Sequence, residues 1–116
     1  SFLQERVAVA EAAGVRSDRI MVDPGIGFGK TLDHNLEIIA RLREFRALGK
    51  PVVIGVSRKA FIGKLTGLRP EDRLEGSLAA AVLAVRNGAD VVRVHDVAET
   101  VRALGVAVPI IGRERR

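Results

Sequence analysis

A parallel α/β fold is what this sequence predicts, and three observations carry the expectation. Helical and strand patterns alternate along 116 residues with no low-complexity segment, internal repeat or Pro/Gly/Ser linker. Val52 to Val56 is an unbroken apolar run of strand length, the pattern of a parallel strand covered on both faces. The unusual residues cluster directly after the strands, at the carboxyl ends where open α/β sheets and barrels place their ligands. Three strand–helix units fit an open doubly wound sheet or about half of a (β/α)8 barrel, whose full length is typically ~250 residues. Periodicity alone leaves both open.

The elements follow in the order αβαβαβα. A first helix is expected over about Leu3 to Ala13, stopped by Gly14 in a left-handed conformation, and a short strand over Arg19 to Val22. Asp23, Pro24 and Gly25 end that strand. A second helix begins near Thr31 or Asp33, either of which suits the cap, sets Leu32, Leu36 and Ile39 on one face and closes at Gly49 and Pro51. After Val52 to Val56, a short helical segment and a loop around Gly67 and Pro70 lead to an Ala-rich helix, Leu74 to Asn87, stopped by Gly88. Val91 to Val94 is the third strand. Asp96 and Glu99 have capping-box spacing for a last helix that is expected to end at Gly105.

Composition narrows the functional classes. With 47% hydrophobic residues the chain can bury a core, so one globular unit over residues 1–116 without internal boundary is expected. No apolar run has transmembrane length and residues 1–6 lack the features of a signal peptide, so the chain reads as soluble and cytoplasmic, without a membrane partner. Zero cysteines exclude disulfides and thiolate metal sites, and two histidines make a zinc site a poor fit. Part of the net charge of +5 sits in Arg113, Arg115 and Arg116. Aromatic residues are 3% of the chain, so stacking platforms are scarce and a nucleic-acid partner is not expected.

Three segments carry candidate chemistry. The first is Asp23-Pro24-Gly25-Ile26-Gly27-Phe28-Gly29-Lys30-Thr31. It is not a P-loop, because the glycine required five residues before Gly-Lys-Thr is Pro24, which removes a donor. It is not a dinucleotide fingerprint, because Lys30 stands where a third glycine is needed. What remains is a carboxylate on a rigid turn followed by a loop displaying Phe28; Asp23 either caps that turn or presents itself to a ligand. The second is Ser57-Arg58-Lys59-Ala60-Phe61-Ile62-Gly63 at a helix start, where N–H groups and Lys59 suit a carboxylate or phosphate, and where a Ser cap with two solvated cations is the plainer alternative. In the third, Arg93 and His95 share one strand face while Val92 and Val94 share the other. Two potential cations then point together, toward a bound anion or into an ordinary ion pair, with Asp96 as one candidate partner. His95 and Asp96 face opposite ways and form no metal pair.

Together these stretches resemble dihydropteroate synthase, from about Arg19 to Thr100. The matching motifs are Asp23 to Lys30, Gly55-Val56-Ser57-Arg58-Lys59 with Phe61-Ile62-Gly63, Gly76-Ser77-Leu78-Ala79-Ala80, and Arg93-Val94-His95-Asp96-Val97. The resemblance implies a (β/α)8 TIM barrel of which this chain holds the C-terminal part, strands six to eight with their helices, and residues 1–14 the helix after strand five. It implies condensation of 6-hydroxymethyl-7,8-dihydropterin diphosphate with p-aminobenzoate, giving dihydropteroate and pyrophosphate, with Mg²⁺ whose ligand lies outside this chain. Asp23 then accepts hydrogen bonds from the pterin, with Gly55, Lys59 and Arg93 also against it, and Arg93 with His95 holds the diphosphate. Phe28, Gly29, Lys59 and Ala60 line the p-aminobenzoate pocket, where sulfonamides compete. Lys59, Arg93 and His95 are the residues implied in catalysis. Ala60 departs from the family, in which Ser often follows the lysine, so a hydroxyl bond to the p-aminobenzoate carboxylate is missing. The family's first five strands are absent, so the 116 residues alone are expected to be inactive and to dimerise or self-associate through exposed strand edges. A pterin-binding methyltransferase-type barrel and a non-catalytic half-barrel assembly unit are the competing readings; the pairing of Arg93 with His95 argues against the first.

Overall fold

The apolar run at the centre of the sequence organises the molecule. In the computed structural model, which describes residues 2–16, 19–25 and 31–114, strand β1 (Val53–Gly55) is the middle member of three parallel segments. It pairs with β2 (Val91–Arg93) in the register Val53–Val91, Ile54–Val92 and Gly55–Arg93. On its other side a single parallel bridge joins Val22 to Val52, where Val22 N–H donates to Pro51 O at 2.9 Å and Val53 N–H to Val22 O at 2.8 Å. The strand expected over Arg19 to Val22 is thus reduced to one bridge. The turn at Asp23 begins at once, and Pro24 has no N–H to extend a ladder.

The helices are α1 (Phe2–Ala12), α2 (Leu32–Ala40), α3 (Ala60–Thr66), α4 (Leu74–Arg86) and α5 (Val97–Glu114), with 3₁₀ segments at Leu42–Leu48 and Pro70–Asp72. Thr31 is the cap of α2, its hydroxyl accepting His34 N–H at 3.1 Å. Helix α2 packs on α4, and α4 on α5. Successive strands therefore sit side by side in chain order, with successive helices neighbouring each other, as right-handed crossovers all stepping in one direction require. A doubly wound sheet reverses direction at a switch point. These three strands do not reverse, an order that a barrel segment shares with one half of a doubly wound sheet.

Strand alternation divides the sheet into a packing face and an open face. Val52, Ile54 and Val56, two apart, are completely buried and join Val22, Ile39, Leu42, Phe61, Ile62, Ala80, Ala81 and Ala84 in one core. The other face carries Val53, partly exposed, and Val91, 44% exposed, so the strands are covered on one face and not on both. At the amino ends of the strands Asp90 accepts Val52 N–H at 2.8 Å and Arg46 at 3.1 Å, tying the 3₁₀ segment after α2 beneath β1 and β2.

The last helix is longer than expected. It passes through Gly105 and Pro109 to Glu114, with Thr100 and Ile111 buried and Arg86 paired to Glu114 at 3.1 Å. Burial of Thr100 and Ile111 on either side of Gly105 opposes the ~1 kcal/mol handicap of an internal glycine, and the exposed ion pair adds little. Pro109 removes the bond that Gly105 O would have received. Among the described residues, no helix is long and apolar enough to cross a membrane.

Two helical glycines make opposite demands. A Cβ on Gly76 would lie 2.5 Å from Ile62 Cγ2, a buried side chain, whereas one on Gly105 would meet nothing within 4 Å. Gly76→Ala is expected to lower stability by about 1–3 kcal/mol through overpacking, and Gly105→Ala to raise it by about 0.5–1 kcal/mol. Urea midpoints at unchanged m-value measure both, and an undiminished midpoint for Gly76→Ala would refute the close α3–α4 contact.

Candidate active site

Each strand ends in residues that a core has no use for, and the fold brings them together. Asp23 does both things its sequence context allows. Its Oδ1 accepts Gly25 N–H at 2.8 Å, closing a turn in which Gly25 takes φ 76°, a value that favours glycine. Its Oδ2 accepts a hydrogen bond from Arg93 Nη2 at 2.5 Å, a contact spanning from the first strand end to the third. Gly55 lies beneath that reach: a Cβ there would stand 3.2 Å from Arg93 Nη2. Phe28 and Gly29, with the rest of residues 26–30, lie outside the described residues.

The second segment turns away from the sheet at Arg58, whose φ of 52° makes it the one non-glycine residue with positive φ among those described. Its N–H donates to the buried Ser77 Oγ at 2.8 Å, and its carbonyl receives Arg73 Nη1 at 3.2 Å. These bonds hold a conformation that a branched or bulky residue rarely adopts. Arg73 itself lies across Gly63, where a Cβ would collide with its guanidinium. Lys59 follows as the extended N-cap of the seven-residue helix α3, and Ala60, exposed, opens that helix. Ser57 does not cap. Its hydroxyl is buried and accepts His95 N–H at 3.1 Å.

Gly55, Ser57, Lys59, Arg93, Val94 and His95 together line a cleft of about 220 Å³ at the carboxyl ends of β1 and β2. Arg93 and His95 share the open face of the sheet as the strand period requires, while Val92 packs against the core. A larger hollow of about 380 Å³ lies among α2, α3 and α4, around Leu36, Phe61 and Leu83, but no charged side chain lines it. The smaller cleft is therefore the candidate site: it holds two cationic groups and an imidazole with Asp23 alongside, an arrangement suited to an anionic ligand that also bears N–H donors.

Two ion pairs differ from the simplest sequence expectation. Arg93 pairs with Asp23 and not with Asp96. Asp96 is taken by Arg58, Nη2 to Oδ1 at 2.5 Å and Nε to Oδ2 at 3.1 Å, so its carboxylate is held across the site; its backbone carbonyl receives Thr100 N–H at 3.0 Å. Of the two sequence alternatives for this segment, that of two solvated cations does not describe Arg58, whose partner lies 38 residues along the chain. The Arg58 hydrogen bond, then its charge, holds Asp96 below the usual carboxylate range despite partial burial, and the same bond raises Arg58. At the opposite end of the strands, burial pushes Asp90 up but is outweighed by the Val52 N–H bond and by Arg46, leaving it lowered. Among the described residues no three His, Asp or Glu side chains gather as a metal site.

The depressed values of Asp90 and Asp96 set a direction with pH. A carboxylate whose value is lower in the fold adds stability that is fully present above its unfolded value of ~3.9 and is lost as pH falls through the folded one. Wild-type stability in urea is therefore expected to fall progressively below about pH 4. The fall should be shallower in Asp96→Asn and in Asp90→Asn, and curves parallel to wild type would show that neither pair operates.

The family model described as pterin binding enzyme matches residues 1–95. Dihydropteroate synthase of Escherichia coli (strain K12) is 49% identical over 105 residues, covering 90% of this chain and 37% of that protein, and that of Bacillus subtilis (strain 168) is 47% identical over 102 residues, covering 88% and 36%. Among solved structures, Yersinia pestis dihydropteroate synthase in a sulfonamide drug complex shares 39% identity at a TM-score of 0.92, over 99% of this chain and 41% of that one. A dihydropteroate synthase of Coxiella burnetii in complex with pteroic acid shares 43% at a TM-score of 0.92, over 96% and 41%. The chain thus spans well under half the length of these relatives. With a family model matched over most of its length and a cleft of suitable chemistry at its strand ends, the chain belongs to the pterin binding enzyme family.

Proposed function

We propose that this chain is the part of a dihydropteroate synthase that carries strands six to eight of a (β/α)8 barrel, as one unit without internal boundary, in a cytoplasmic enzyme of folate biosynthesis. The observation that carries the reading is the convergence of Asp23, Lys59, Arg93 and His95 at three parallel strand ends, with Arg93 bonded to Asp23 over Gly55. The likeness to synthases solved with pteroic acid and with a sulfonamide drug supports it, and the in-order parallel strands agree with it.

In the proposed reaction the pterin methylene loses its bond to the diphosphate oxygen, which keeps the electron pair, and forms a bond to the amine of p-aminobenzoate, which gives up a proton. Asp23 accepts hydrogen bonds from the amino and ring N–H groups of the pterin, the bidentate match that a carboxylate makes well. Arg93 covers the ring beside Gly55 and, with His95, takes the charge that develops on the departing diphosphate. Lys59 stands between the two substrates. Phe28, Gly29 and Ala60 belong to the p-aminobenzoate pocket in this reading, the site at which sulfonamides compete. In this reading the Mg²⁺ of the proposed enzyme has its ligand outside this chain.

Calorimetric titration with a pterin diphosphate analogue tests the assignment of Asp23. Asp23→Asn should weaken binding to this chain by at least ~10-fold, the ~1.5 kcal/mol of a hydrogen bond to a charged group, and equal affinities for the two proteins would remove Asp23 as the anchor. The open edge of the sheet tests the partner reading. Val91, Val97 and Val101 are 44%, 60% and 63% exposed beside β2, so the chain is expected to self-associate as its concentration rises. Sedimentation velocity showing a monomer throughout would contradict this.

A further inference from the structure

Ser57 occupies the first position after the β1 run and is 3% exposed. A serine hydroxyl has one proton to donate and lone pairs to accept with. Here it accepts the backbone N–H of His95 at 3.1 Å, and it also lies 3.0 Å from His95 Nδ1. If Nδ1 carried the ring proton, the oxygen would face two donors and its own hydrogen would have no acceptor among the described contacts, an arrangement that buried hydroxyls avoid. The consistent pattern is that Oγ–H donates to Nδ1. In the neutral ring the proton then sits on Nε2, directed away from Ser57, on a side chain that lines the cleft with Arg93 and Lys59.

We propose that Ser57 is a positioning residue that fixes His95 as an Nε2–H donor toward the diphosphate leaving group. The proposal rests on the reading that Arg93 and His95 hold that group. In this role Ser57 acts through His95: it selects which ring nitrogen offers a hydrogen bond and fixes the plane of the imidazole. The next residue secures the arrangement, because Arg58 grips Asp96 through two bonds. Two consecutive residues of one strand end therefore hold two consecutive residues of the next, and neither loop can shift without breaking both contacts. Among the described residues, Lys59 and Arg93 line the cleft with the imidazole and Asp96 senses its charge.

The chain has two histidines, which makes the test direct. With both labelled with ¹⁵N, two-bond nitrogen–proton spectra recorded well above the ordinary imidazole value of ~6.5 report the tautomer of each ring. The expected result for His95 is an unprotonated Nδ1 and a protonated Nε2, while exposed His34 gives the averaged pattern of a ring in solvent. Ser57→Ala should move His95 toward the His34 pattern, and Ser57→Thr, which keeps the hydroxyl, should restore it. A proton on Nδ1 of wild-type His95, a pattern averaged like that of His34, or no change in Ser57→Ala overturns the proposal. The wild-type spectrum decides even if a variant does not fold. Adding inorganic pyrophosphate separates the two layers: it should shift the Nε2 resonance, and a fixed Nε2–H tautomer that ignores pyrophosphate would overturn the leaving-group reading instead of the tautomer.

Discussion

The bond from Arg93 to Asp23 organises the site. It joins the third strand end to the first, passing over Gly55 of the strand between them, so one side chain spans all three. Gly55 eases the reach: a Cβ there would stand 3.2 Å from Arg93 Nη2, so the guanidinium would have to give by a few tenths of an ångström. With Arg93 61% and Asp23 32% exposed at the side chain, the pair sits in water enough that it contributes little to folding. What it contributes is geometry. A carboxylate and a guanidinium are held against each other, with the cleft of Lys59 and His95 beside them.

Stability comes from the opposite face. Val52, Ile54 and Val56 are fully buried against α2, α3 and α4, and the alanines of α4 let that helix lie close to the sheet. Because successive strand residues alternate between faces, the packing residues and the chemical residues share the same short strands without competing for space. The division holds along the strand axis as well: Arg46 and Asp90 tie the amino ends, and the candidate chemistry occupies the carboxyl ends. That polarity is the one found in parallel α/β barrels, where conserved architecture lies below and ligands above.

Much of this was legible in the residues. An apolar run bounded by Pro51 and Ser57 located the central strand, the glycines at 14, 49 and 88 marked stops where φ is positive, and the two-residue period placed Arg93 and His95 together. Less was legible wherever a long-range contact outvoted a local signal. Gly105 looks like a helix stop, yet α5 continues because Ile111 and the Arg86–Glu114 pair lie beyond it. Asp96 has the spacing of a capping box, yet its carboxylate turns to Arg58. Arg58 itself carries no local sign of its role, since its partner is on another strand end.

That partner is nonetheless implied once the strand register is known. Gly55 is opposite Arg93, and the same offset of 38 residues relates Val52 to Asp90, Ser57 to His95 and Arg58 to Asp96. The two chains therefore run in step well past the ends of β1 and β2, first through backbone pairing and then through side chains. A parallel ladder fixes spacing between neighbours but cannot continue once the chains turn into their helices. Polar side chains take over the pairing at that point, one from each residue. The site is thus an extension of the sheet by other means: where the backbone stops bonding across the strands, Ser57 and Arg58 continue the register. His95 is consequently tied to Ser57 through both its backbone N–H and its ring, although it is exposed and lies beyond the strand.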